Sequence, residues 1–134
     1  MRTAGTMLIR NKEGLYLGVS RKEDSTKFGL PGGKSEVGET PEKTAVRETR
    51  EETGVDVSRC VQIYERIVPR GNKTGETFSA YCFYALEWSG EPRAMEEADV
   101  QWVTEEELTR PGSAFPDYNS NMFKIFKMFD GGIR

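Results

Sequence analysis

Residues 30–55 read LPGGKSEVGETPEKTAVRETREETGV. Thr40 is a good N-cap, and Pro41 suits the first helical position, where its missing N–H costs nothing. Residues 41–53 are therefore expected to be helical, with Gly54 ending the helix. At about 100° per residue, Glu48, Glu51 and Glu52 fall within roughly one third of the helix circumference. Like charges at these spacings oppose the helix by about 0.2–0.5 kcal/mol per pair. The opposite face offers only Ala45, Val46, Thr49 and Thr53, so little apolar area compensates. One reading is a solvated helix laced with Arg–Glu pairs, Arg47 with Glu51 among them. The other is a face that binds a hard divalent cation such as Mg²⁺, which takes clustered carboxylate oxygens. The upstream Gly32-Gly33 and Gly38 favour the second, because glycine lets backbone approach a ligand closely.

Gly33, Glu39, Arg47, Glu48, Glu51, Glu52, Gly54 and Val55 stand in a specific register. They resemble the Nudix box of the Nudix hydrolases: Gly, five residues, Glu, seven residues, Arg-Glu, an aliphatic residue, any residue, Glu-Glu, any residue, Gly, aliphatic. The departure is Thr49, which stands where an aliphatic residue is usual. Thr49 faces the core on the expected helix, so the change bears on packing more than on chemistry.

The whole chain has 134 residues and a net charge of −3, with 36% hydrophobic and 31% charged residues. That length suits a single domain over 1–134 with a proper core. No apolar run approaches a membrane span, and the start lacks a signal-peptide pattern. The acidic balance gives no footprint for long nucleic acid. The chain has no histidine, which excludes a His-based zinc site and a Ser-His triad. Cys60 and Cys82 lack metal-ligand spacing and are expected to be reduced, in a cytoplasmic protein.

Outward from the box, residues 3–10 and 15–20 read as strands around a turn at Asn11–Gly14. A loop over 23–28 follows. Residues 60–69 and 76–88 read as two long strands joined by a polar connection at 70–75. Both faces of the second are apolar, so both are expected to be covered. Residues 100–103 read as a strand. Thr104 and Glu107 form a capping box for a helix over 104–109. A final amphipathic helix is expected over 120–130, with Asn119 as its cap. Arg21 and Lys22 end the second strand, either as ordinary solvated charge or as a phosphate contact.

Several features outside the box also resemble MutT-type Nudix enzymes. These are the basic pair at 21–22, Gly90-Glu91-Pro92, the acidic pair Glu96-Glu97, Trp102, and Phe115-Pro116 ahead of Asn119. The resemblance implies an α/β/α sandwich, a mixed β-sheet between the box helix and a C-terminal helix. It implies Mg²⁺, or Mn²⁺, held by Glu48, Glu51, Glu52, the Gly32 carbonyl and Glu96 or Glu97. Glu48 or Glu52 is the implied general base, and Arg47 orients a carboxylate through its planar fork. Glu39 is expected to fix the loop. Arg21, Gly33, Lys34 and Asn119 are the implied substrate contacts. An amide can donate and accept at once, which suits the edge of an oxidised guanine. The implied reaction is hydrolysis of a nucleoside diphosphate linked to a further group. The leading substrate is a nucleoside triphosphate such as 8-oxo-dGTP, cleaved to the monophosphate and pyrophosphate. ADP-ribose or a nucleotide sugar, and nucleotide binding without turnover, are the alternatives. Family members are often monomers or homodimers.

Overall fold

The computed structural model describes residues 1–69 and 75–133, the last three as backbone only. Most of the expected 70–75 connection lies outside the described residues. The elements are β1 (Arg2–Leu8), β2 (Tyr16–Arg21), β3 (Asp24–Gly29), β4 (Gly32–Lys34), α1 (Pro41–Thr53), β5 (Asp56–Val68), β6 (Phe78–Ser89), β7 (Val100–Val103), α2 (Glu105–Thr109) and α3 (Pro116–Ile133).

Two sheets form, in the orders β4-β1-β6-β5 and β3-β2-β7. The first is mixed: β1 runs parallel to β6 and antiparallel to β4, and β5 is antiparallel to β6. In β1 the side chains alternate between two cores, as a pleated strand requires. Met7 and Ile9 join Ala45 of α1, with Val55, Phe83 and Ala85. Ala4 and Leu8 face the other way and pack with Met122, Phe123 and Phe126 of α3. β6 divides in the same manner, Phe78, Ala80 and Cys82 against Phe83 and Ala85. The expected sandwich and the covered faces of β6 are both observed.

α1 begins and ends where expected, on a Thr40 side chain that accepts from the Lys43 N–H and on Gly54 at φ 77°. It buries Thr44, Ala45, Thr49 and Thr53, a polar set for a core-facing helix. Close approach to β1 makes this tolerable. A Cβ on Gly5 would lie 2.2 Å from the Pro41 carbonyl oxygen.

Three expectations are corrected. Residues 23–28 are not an open loop, because Asp24–Gly29 pairs with β2 as a hairpin. The Gly32-Gly33 pair, expected as a turn, lies in a strand, Gly32–Lys34, paired with β1. The last helix starts at Pro116, so Asn119 lies in its first turn and is not its cap. Proline at the first helical position, with its φ preset, starts the helix earlier than an asparagine cap would.

Candidate active site

β4 runs beside α1, and this contact builds the acidic end of the site. A Cβ on Gly33 would meet the Glu48 carboxylate at 2.7–2.8 Å, so glycine lets that carboxylate lie directly against β4. The Gly32 N–H donates to Glu52 Oε1 at 2.9 Å. The Met95 N–H donates to the Glu52 carbonyl at 3.3 Å and brings the segment bearing Glu96 alongside. Burial pushes the Glu52 carboxyl up to about 8. The Gly32 N–H opposes this, and the charges of Glu48, Glu96 and Glu51 add to it. Glu48 is also raised, first by burial, with Arg47 working against the shift. Glu96 adds to the field at both carboxylates.

Arg47 organises the box from the opposite side. Its guanidinium forks onto Glu39, from Nε at 2.7 Å and Nη2 at 3.0 Å. Its Nη1 donates to Glu51 at 2.8 Å and to Glu48 at 3.1 Å. The fork holds the Glu39 carboxyl down at about 2, helped by the Glu36 N–H and the Thr44 hydroxyl. Behind Glu39 runs a file of hydroxyls at 2.7 Å spacing, Thr3 to Ser35 to Thr44 to the carboxylate. The file ends on the only group that solely accepts. Glu39 thus ties its loop to α1.

The carboxylates face one region but are not gathered in a group of three around one point, among the described residues. Glu48 and Glu51 lean toward Arg47, and Glu52 toward Gly32. The donors nevertheless fit a hard divalent ion: all are oxygens, and burial together with the charges of Glu48, Glu96 and Glu51 pushes the Glu52 carboxyl up, a repulsion that a cation would relieve. Solvated pairing, the competing reading of this helix, describes Arg47 with Glu51 but not the half-buried Glu52, which accepts from the Gly32 N–H.

A cleft of about 350 Å³ begins at Gly32, Gly33 and Glu52 and runs between the sheets toward α3. Its far end is apolar, walled by Val68, Phe78, Ala80, Phe115 and Tyr118. Tyr118 is fixed there by its hydroxyl, which donates to the Ala80 carbonyl at 3.0 Å. Asn119 lines the same end and is 4% exposed. Its amide nitrogen donates to the carbonyls of Leu108 and Ala114, at 2.9 and 3.0 Å. Arg21 lines the cleft, with Nε on Glu23 at 3.1 Å and Nη1 on the Gly112 carbonyl at 3.3 Å. Lys34 lines it too, paired with Glu76 at 3.0 Å and lying over the Phe78 ring. Of the expected site residues, Arg21, Gly32, Gly33, Lys34, Glu52 and Asn119 line this cleft, while Arg47, Glu48, Glu51 and Glu96 lie outside its lining. The sequence offers the aromatics of residues 76–88 for core packing or for holding a base, but it does not join Phe78 to Val68, Phe115 and Tyr118, which share no spacing with it. Cys60 and Cys82 are not nucleophiles: burial pushes their thiols up to about 11 and about 12.

A mixed sheet between two helices, with a glycine strand against an acidic helix, defines a hydrolase site of the Nudix class. The NUDIX domain family matches residues 1–127, and the chain belongs to that family. An 8-oxo-dGTP diphosphatase of Haemophilus influenzae is 31% identical over 118 residues, spanning 86% of this chain and 83% of the relative. A MutT NUDIX hydrolase of Burkholderia pseudomallei superposes with a TM-score of 0.74 at 26% identity, over 90% of this chain and 96% of that one. The NUDIX domain of Shewanella oneidensis NrtR, complexed with ADP ribose, gives 0.73 at 19% identity over 95% and 87% of the two chains, a likeness of fold. The protein is a Nudix hydrolase, a nucleotide pyrophosphohydrolase in general class, and its family works with divalent metal ions. Among the described residues no helix is long and apolar enough to cross a membrane.

Proposed function

We propose that this chain, as one domain, is a Mg²⁺-dependent pyrophosphohydrolase of nucleoside triphosphates, releasing the monophosphate and pyrophosphate, with an oxidised purine as the preferred base. The observation that carries this is a single cleft that holds the Glu52 carboxyl beside Gly32 and Gly33 and is walled elsewhere by apolar side chains and the buried Asn119 amide. A triphosphate joined to a base has the same polarity. The name of the Haemophilus influenzae relative supports the oxidised purine.

Glu48, Glu51, Glu52, Glu96 and the Gly32 carbonyl are the groups that would hold the metal. A bound divalent ion supplies charge neutralisation at phosphate and a more acidic bound water. Glu48 and Glu52 are both candidates for the general base, which must reach the proton of the attacking water. Arg47 fixes the facing of Glu48 and Glu51. Arg21, Gly33 and Lys34 line the path between the two ends and contact the phosphates or sugar. At Asn119 both amide hydrogens are engaged by backbone carbonyls, so Oδ1 is left to face the base as an acceptor. An acceptor suits oxidised guanine, whose N7 carries a hydrogen that guanine lacks.

The test is a turnover panel with Mg²⁺: 8-oxo-dGTP, the common triphosphates, ADP-ribose and nucleotide sugars, with coupled phosphate detection. Pyrophosphate release, fastest for 8-oxo-dGTP, is the expected result. Cleavage of ADP-ribose or sugars alone would move the substrate to the class bound by the NrtR domain. No turnover, with nucleotide still bound, would leave a binding module.

A further inference from the structure

Among the described residues, Phe115 is the one non-glycine residue with a left-handed backbone, at φ 53°. Bulky side chains are strained there, and such strain persists where something outside the local turn favours it. The turn alone does not call for phenylalanine. Its backbone work is done by the carbonyl, which accepts from the Asn119 N–H at 3.0 Å and which glycine would supply equally. Nor is the ring kept for the core, since Phe115 is 47% exposed. Its partner, Phe78, is 5% exposed, and the two rings meet edge-on at 6.2 Å and 84°. Lys34 Nζ lies over the Phe78 ring, 5.6 Å from its centre. Phe115 therefore stands on the cleft wall with apolar surface still uncovered.

We propose that Phe115 is a specificity-determining residue: its ring forms the outer wall against which the base packs, and it favours purines over pyrimidines. This rests on the reading that the cleft takes a nucleotide with its base at the apolar end. The larger surface of a purine covers more of an exposed ring, and stacking of this kind tolerates different bases while scaling with their area.

Phe115→Ala, Phe115→Gly and Phe115→Trp test it, by steady-state kinetics on dGTP and dCTP and by calorimetric binding of dGMP and dCMP. Alanine and glycine are expected to raise KM for dGTP about tenfold with kcat kept, and to shrink the purine preference by a similar factor. Tryptophan restores both. Glycine relieves the left-handed strain and melts above the alanine variant, which separates the ring's role from folding. Unchanged KM and unchanged base preference in both small variants, whatever their melting points, would overturn the proposal. If the wild type hydrolyses no triphosphate, the proposed function fails. The inference then stands if Phe115 still sets a dGMP-over-dCMP binding preference, and falls if the wild type binds dGMP no better than dCMP.

Discussion

The two ends of the cleft are built by opposite means. Apart from Glu96, the acidic end comes from one continuous stretch, residues 32–52, in which a glycine strand and a helix lie side by side. The apolar end is assembled from the β5–β6 pair and from Phe115 and Tyr118 at the start of α3, which comes much later in the chain. On the proposed function, phosphate chemistry would be carried by local geometry and base choice by tertiary packing. Changes at the first end should strike rate, and changes at the second should strike selection.

Glu52→Gln carries the largest expected effect. Turnover should fall about a thousandfold with little change in base preference, and chelation of divalent metal should do the same to the wild type. A Gln variant that retains its rate would remove Glu52 from the chemistry. Next, Asn119→Ala should lower the preference for 8-oxo-dGTP over dGTP by about tenfold while dGTP turnover persists, measured as the ratio of kcat/KM values. A preference that survives would show that the apolar end does not read the base through this amide.

A third test asks whether the acidic end is held together by charge. The Arg47 fork keeps Glu39 at about 2 in the folded chain, against an ordinary 4.5. Its stabilisation is therefore complete above pH 4.5 and lost as the pH falls through about 2. Glu39→Gln should melt lower than the wild type at neutral pH, and the gap should close on acidification toward pH 2. A gap independent of pH would mean that packing, not charge, holds the loop. The smallest effect is at Thr49, whose buried hydroxyl has no hydrogen-bond partner. Thr49→Val keeps the shape and removes that burden. It should raise stability by about 1 kcal/mol in denaturant unfolding and leave kinetics unchanged.

This contrast also decides what could be read without a structure. α1 was legible to the residue because Thr40, Pro41 and Gly54 punctuate it locally. The capping box of Thr104 and Glu107 was legible for the same reason and is fully formed. β3 was not, since Asp24, Ser25, Thr26 and Lys27 show no apolar alternation and the strand exists because β2 offers a ladder. β4 is too short and glycine-rich to announce itself. α3 carried a start signal in Pro116, but Asn119 competed with it as a cap. At the site, spacing gave the carboxylates. No spacing could give Phe78 and Phe115 as neighbours, or commit the Asn119 amide nitrogen to Leu108 and Ala114.

Gly5 carries no side chain to the site, yet it pairs with Gly33 of β4 and the helix of the acidic end is seated upon it. A methyl group there would lift the first turn of α1 off β1, and every carboxylate downstream would travel with the rigid helix. The register of the site is thus gauged by an atom the chain leaves out. Any fluctuation that lets α1 rise from the sheet should uncover β1 amides and scatter the acidic face in one event. Hydrogen exchange along residues 4–7 and reversible loss of activity on warming should then follow a common curve.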